Sequence, residues 1–405
     1  MMETDVLILG AGAAGCFCAI EAARRHPHWR ILVLEAGRKP LAKVAVTGGG
    51  RCNLTNSFEG IRDLSQAYPR GARVMKHLLS RFDQNDTCAW FEREGVELVL
   101  QPDHCYFPAS QDAMQIVRTL LRAMEKARVS VRTGQRALSA EKTADGFKVV
   151  TAREEFFCNK LIITTGGSPS ASGLSFLDPL DLDLVPPVPS LFSFAMQGEA
   201  VRALTGTVVE NASVSIPGQK WTASGPLLIT DWGMSGPAIL RLSSYAARFL
   251  AGQGYRTPLR VDWTGGKSRE EIQRLLTDMT EKHPQKMVRS TAPSFLPARL
   301  WAHLCLRALL REDLRWAEMG RKGAGRLEEI LCADTYQVSG KNRFREEFVT
   351  CGGVSLSGID PNTLESKVCK NLYFAGEILD IDAITGGFNL QAAWSGGYVV
   401  AASLS

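Results

Sequence analysis

The chain has 405 residues, 45% of them hydrophobic and 22% charged, with a formal net charge of +5. That length predicts two or three domains with ample core, and the composition excludes disordered, collagen-like and mucin-like chains. No run of 18 apolar residues occurs, which argues against a membrane-spanning helix, and the charge is too mild alone to demand a nucleic-acid partner.

The acidic start Met1-Met2-Glu3-Thr4-Asp5 is unlike a positively charged secretory leader. Ten cysteines are scattered without a CxxC pair, so a reducing, cytoplasmic setting is expected. Asp5–Leu9 reads as a strand buried on both faces. A glycine-rich turn follows, then an alanine-rich helix to about Arg25, ended by Pro27. Ile31–Leu34 is the next strand and closes on Glu35. A looser region to about residue 187 contains a helix near 112–126 and strands near 129–132, 147–152 and 161–164. Prolines at 179, 186, 187 and 189 predict a boundary without regular structure. From Leu191 to Asp262 the pattern is short and β-rich, interrupted by one helix over 236–250. Residues 268–331 read as helical: Ser268-Arg269-Glu270-Glu271 has capping-box form, and Ile272, Leu275, Leu276 and Met279 follow on one face. Residues 371–405 return to strand, turn and helix.

The chemistry is written in glycines. Gly10-x-Gly12-x-x-Gly15 follows a strand, opens a helix and precedes Glu35 by 20 residues. Gly10 permits the tight turn, Gly12 lets backbone approach a pyrophosphate, and Gly15 lets helix pack on strand. Glu35 would accept from a ribose diol. Thr47-Gly48-Gly49-Gly50-Arg51-Cys52-Asn53 is a second loop, suited to wrapping a polyanionic or heteroaromatic ligand. Thr165-Gly166-Gly167 ends another buried strand. Near the C-terminus, Leu372–Gly376 runs into Glu377, followed by Gly386-Gly387-Phe388-Asn389-Leu390-Gln391 and an apolar helix.

The blocks at 5–56, 161–167 and 351–402, above all TGGGRCNLTN at 47–56 and GEILDIDAITGGFNLQAAWSGG at 376–397, resemble the BaiN/RdsA family of FAD-dependent flavoproteins. The resemblance implies an α/β fold: a two-dinucleotide-binding, Rossmann-like FAD domain (1–187 and 351–405) interrupted by a β-rich domain (188–265 and 332–350) and a helical domain (266–331). It implies a cofactor-binding set of Gly10, Gly12, Ala13, Ala14, Gly15, Glu35, Ala36, Arg38 and Lys43. Gly49, Gly50, Arg51, Asn53, Ala137, Thr165, Gly166 and Gly167 extend it, and Gly376, Glu377, Gly387, Phe388, Asn389 and Leu390 complete it. Phe388, Asn389 and Leu390 would lie near the isoalloxazine ring. One departure stands out: the family's longer Gly-Asp-Gly segment and helix after Gly167 are replaced here by a short stretch over 168–189, which leaves one wall of the site outside the carry-over.

Several signals fail on inspection. Thr264–Ser268 mimics the end of a P-loop, but position 261 is Val. The six histidines form no HxxxH or HExxH pattern, so no metal is expected. No second GxGxxG lies between 160 and 370, so NAD(P)H or another donor would reach the flavin from its open face. Cys52 next to Arg51 is a candidate proton donor or redox partner with a lowered thiol pKa; a packing role is the alternative.

Three functions remain open at this point. The resemblance includes dihydrouridine formation in large-subunit ribosomal RNA. Between Lys282 and Arg345 there are 13 Lys/Arg against 6 Asp/Glu, a basic insert that would steer RNA unless its charges are locally paired. The second is a small-molecule oxidase or reductase acting on an amine or enone. The third is a non-catalytic flavin-binding protein.

Overall fold

The computed structural model describes residues 2–168, 170–341 and 349–405. The chain divides into two compact units, Met1–Pro189 with Val349–Ser405, and Ser190–Phe348.

In the first unit the strand Met2–Leu9 buries Val6, Leu7 and Ile8 completely. It pairs in parallel with Ile31–Glu35 on one side and Glu155–Ile163 on the other. Ser130–Thr133 extends this parallel sheet beyond Ile31–Glu35, and Leu372–Phe374 pairs with Leu161–Ile163. The last strand is therefore drawn from the far end of the chain. An antiparallel meander, Ala137–Thr143 and Gly146–Thr151, adds to the other half of Glu155–Ile163.

A parallel sheet needs helices on its faces. Ala13–Arg25 and Phe388–Ser403 pack together there. A Cβ at Gly397 would stand 2.8 Å from the Ala14 carbonyl oxygen and 3.2 Å from the Cys18 nitrogen, so glycine is what lets the two backbones meet. Glu21 is buried on the first helix. It accepts from Trp90 Nε1 (2.9 Å) and Arg25 Nη1 (2.6 Å), so its charge is paired and hydrogen-bonded.

The helix near 112–126 is Ala113–Lys126, with Asp112 accepting from Met114 N at its start. The proline-rich boundary differs from expectation. Leu184–Ser190 is a strand that pairs with Val349–Val354 despite Pro186, Pro187 and Pro189, and Pro179 lies inside the 3-10 helix Ala171–Leu180. In this two-stranded pairing every strand is an edge, where a missing N–H costs little.

The second unit is an antiparallel sheet in the order Asp334–Val338, Thr257–Asp262, Val208–Ser215, Thr222–Ile229, Gly233–Ser235, Phe194–Ala195, Gly340–Lys341. The single helix expected over 236–250 is two, Pro237–Tyr245 and Ala247–Gly252. Ser268 and Glu271 form the reciprocal capping box of helix Arg269–Lys282. The stretches expected as β-rich and helical inserts contribute to one apolar cluster, with Val214, Leu227 and Trp263 from the sheet segment and Ile272, Leu300 and Leu327 from the helices. Residues 342–348 of the expected β-rich insert, with Arg343 and Arg345 of its basic stretch, lie outside the described residues.

Candidate functional site

The first βα turn is shaped by close packing on one side and open space on the other. Gly10 has φ +104°, and a Cβ there would lie 2.4 Å from the Thr164 carbonyl oxygen. A Cβ at Gly15 would lie 2.0 Å from the Gly10 carbonyl oxygen and 2.5 Å from Thr164 Oγ1. At Gly12 a Cβ would meet nothing within 4 Å. Gly12 caps the helix, so the first-turn amides of Ala13 and Ala14, which have no intrahelical acceptor, stand beside that open space with the positive end of the helix dipole.

Glu35 ends its strand with both oxygens already hydrogen-bonded, Oε2 to Ala11 N (2.9 Å) and Oε1 to Gly37 N (2.6 Å). A carboxylate has about four acceptor sites, so capacity for a diol remains. Gly10, Glu35, Ala36 and Ala137 line a cleft of about 640 Å³ together with Thr165, Gly166 and Gly167. The short segment after Gly167, outside the carry-over from the family, supplies Gly173, Leu174 and Phe176 of its Ala171–Leu180 helix to the same cleft. Arg136 lines it too, a residue the motifs did not single out. Arg38 is exposed and lies outside this lining.

Lys43 Nζ reaches Glu377 Oε2 at 3.4 Å, and Glu377 Oε1 accepts from Thr350 N at 2.7 Å. Gly376 has φ +77°, and a Cβ there would stand 3.0 Å from the Ala14 Cβ.

The second glycine loop interrupts a helix. Ala42–Gly50 breaks at Thr47 (ψ 150°), and Gly48, Gly49 and Gly50 take φ of 57°, 68° and 84°. Cβ atoms at Gly49 and Gly50 would meet nothing within 4 Å, so this backbone also faces open space. The Arg51 guanidinium lies 4.5 Å from the Phe107 ring centroid and donates to the Gly48 carbonyl (3.3 Å). Asn53 ties the loop to the C-terminal segment: with its amide oriented as its neighbours require, the nitrogen donates to the Thr55 carbonyl (3.1 Å) and the oxygen accepts from Gly387 N (3.3 Å).

Around Gly387 the two ends of the chain are laced together. Asn56 Nδ2 donates to the Gly386 carbonyl (3.0 Å), Tyr68 Oη to the Phe388 carbonyl (2.9 Å) and Trp394 Nε1 to the Leu54 carbonyl (3.0 Å). Thr55 Oγ1 donates to Gln391 Oε1 (2.5 Å). Asn389 bonds both the N–H and the C=O of Ala383, which closes the preceding loop, and the Phe388 ring packs against Phe58 and Tyr68. Leu390 is half-buried in the same first turn. Tyr68 and Arg70 belong to this clasp and carry no local motif, whereas Asp382, which pairs with Arg70, lies within the 376–397 stretch. Gln391, the last residue of the Gly386–Gln391 motif, is a buried amide in an otherwise apolar helix.

Cys52 departs from expectation. Its side chain is fully buried, φ is +60°, and burial pushes the thiol up to about 12, with a hydrogen bond to Thr47 opposing that only in part. Arg51 points at Phe107 and does not lower it. The thiol is neutral across the working range, so Cys52→Ala is expected to leave flavin content unchanged and to add no inflection to the pH profile between about 6 and 9. Alkylation of the native protein at pH 8 should spare this residue; rapid labelling of Cys52 would contradict the burial.

Among the described residues no group of three His, Cys, Asp or Glu is placed to hold a metal ion, and no helix is long and apolar enough to cross a membrane.

A family model described as the HI0933-like protein Rossmann domain matches residues 4–403. The chain is 30% identical over its whole length, and 98% of the relative's, to a protein of Escherichia coli named ribosomal RNA dihydrouridine synthase. It is 26% identical, over 97% of both chains, to a protein of Clostridium scindens named 3-dehydro-bile acid delta(4,6)-reductase. Among solved structures, the E. coli quinol fumarate reductase subunit FrdA shares the fold with a TM-score of 0.50 at 15% identity, covering 99% of this chain and 70% of that one.

Proposed function

The chain belongs to the HI0933-like Rossmann family of FAD-binding flavoprotein oxidoreductases, and on that premise we propose that it reduces a carbon–carbon double bond, with uracil in ribosomal RNA as substrate. The observation that carries the reading is that glycine backbones face open space at Gly12, a helix start, and at Gly49 and Gly50 in the second loop, while the closely packed Gly387 ties the C-terminal segment to that loop. A Cβ would intrude on that space, so the residues present fit a dinucleotide. The choice of substrate is supported by the full-length relative named for ribosomal RNA dihydrouridine synthesis.

FAD, when bound, supplies the hydride chemistry, and the protein supplies placement and electrostatics. Gly10, Gly12 and Gly15 with the amides of Ala13 and Ala14 would hold the diphosphate, and Glu35 the ribose diol. Ala36, Ala137, Thr165, Gly166 and Gly167 would enclose the adenosine half, with Arg38 left outside it. Lys43, Gly376 and Glu377 would meet the ribityl region. Gly49, Gly50, Arg51 and Asn53 would line the flavin side, together with the first turn of the helix that opens at Gly387, Phe388, Asn389 and Leu390, whose positive dipole end would favour negative charge on the cofactor. Cys52 is assigned packing. NAD(P)H or another two-electron donor would reach the cofactor directly, and a ribosomal RNA substrate places the protein in the cytoplasm.

Mass spectrometry of ribosomal RNA from a deletion strain tests the substrate. One dihydrouridine is expected to disappear and to return with the wild-type gene. An unchanged modification set, with purified protein that reduces an enone instead, would move the substrate to the small-molecule class of the bile-acid relative.

A further inference from the structure

The Ser190–Phe348 unit carries its own cleft of about 640 Å³, remote in sequence from every residue assigned to FAD. Two chain segments form it and are laced together: Val288 N donates to the Leu314 carbonyl (2.9 Å), and Trp316 N to the Lys286 carbonyl (3.1 Å). Trp301, whose Nε1 donates to the Val288 carbonyl (2.7 Å), is buried and stacks on the buried Trp316. The walls are therefore preformed.

Their chemistry is mixed in a specific way. Lys286 has no acidic partner among the described residues, and Arg315 bonds a neutral one, Gln285 Oε1 at 2.9 Å. Arg311 leans on Glu318 (3.1 Å) and Asp313 (3.6 Å), whose side chains are 51% and 82% exposed. Such exposed pairs contribute little and exchange readily for a stronger anion. Ser290 and Thr291 add hydroxyls, and Met287 is 47% exposed. Nearby in sequence, Arg321 and Lys322 also lack acidic partners among the described residues. Cations beside carboxylates suit a ligand that carries both anions and hydrogen-bond donors. A ribose–phosphate chain does, through its phosphates and 2′-hydroxyls, whereas the side chains of an acidic peptide offer carboxylates and no donor.

We propose that this cleft binds the sugar–phosphate backbone of RNA, with Lys286, Arg311 and Arg315 on phosphates and Asp313 and Glu318 accepting from ribose hydroxyls. The proposal rests on the ribosomal RNA reading above and adds a second contact, made by none of the residues assigned to FAD, that grips the substrate independently of sequence.

The test uses the FAD-loaded full chain and an unmodified large-subunit ribosomal RNA transcript, with Kd measured across a salt series. The double variant Lys286→Glu/Arg315→Glu is expected to keep its flavin content and melting temperature and to bind about tenfold more weakly or worse at 0.1 M salt. Its log–log salt slope should fall by about two, one for each phosphate that is no longer neutralised. If charge reversal costs the flavin, the neutral pair Lys286→Gln/Arg315→Gln replaces it, with the same shallower slope expected. Wild-type retention by RNA with no change in either variant overturns the cleft while leaving the substrate reading intact. A wild-type protein that binds no RNA overturns that reading itself. Equal binding of same-sequence DNA, or tighter binding of polyglutamate than of RNA, overturns the assignment to ribose–phosphate.

Discussion

Gly12→Val is expected to give a folded, colourless protein. Gly12 sits at φ −85° and ψ −166°, extended backbone that any residue adopts, and a Cβ there meets nothing within 4 Å. The folded state can therefore accept the side chain, and stability should change by no more than about 0.5 kcal/mol. The same open space is where a diphosphate would rest against the amides of Ala13 and Ala14. An isopropyl group in it should weaken FAD binding by about two orders of magnitude, roughly 2.7 kcal/mol. Gly15→Ala is the control with the opposite signature. Its Cβ would stand 2.0 Å from the Gly10 carbonyl oxygen, and the Thr164 hydroxyl 2.5 Å away is already committed to the Leu9 and Gly10 carbonyls. Neither neighbour can move without opening the sheet, so a loss of about 3 kcal/mol is expected, with flavin lost through unfolding. Visible flavin absorbance and thermal melts on the two variants separate the cases. A Gly12→Val protein that retains stoichiometric flavin would remove the first turn from the site.

The contrast also explains what was legible in the sequence. Gly10, Gly12 and Gly15 have readable roles because each is fixed by neighbours within one βα unit, at a spacing set by strand and helix geometry. Ser268 and Glu271 are legible for the same reason, as a cap is a four-residue affair. The proline strand was hidden because its partner, Val349–Val354, lies some 160 residues away and local propensity argues against any strand there. Of the two readings of Cys52, an activated thiol beside Arg51 or a packing residue, burial favours the second: a left-handed backbone buries the sulfur while the arginine turns to Phe107. Adjacent residues need not share an environment.

Asp382 lies within the 376–397 stretch, which marks its place without announcing its partner, and Asp382→Ala should have the largest effect of any single change in the C-terminal clasp. Its carboxylate is 1% exposed and forms a two-pronged ion pair with Arg70, itself 11% exposed, with Nε to Oδ1 at 2.5 Å. The backbones of the two residues also bridge, and next to them Ile384 N donates to the Ala67 carbonyl (2.9 Å). This set pins the loop that leads to Gly387. Removing the carboxylate takes a bidentate counter-charge away from a buried guanidinium, which costs about 3–5 kcal/mol. Removing both charges with Asp382→Leu/Arg70→Met avoids that penalty and should recover much of the stability. Flavin affinity should not recover in parallel, because two apolar side chains cannot fix the loop's direction as a bidentate pair does. A double variant as weak in FAD binding as Asp382→Ala yet more stable would assign the pair to positioning. Full recovery of both quantities would reduce it to a packing element. Loss of neither in Asp382→Ala would mean that the Asn53, Asn56 and Tyr68 contacts alone hold the clasp.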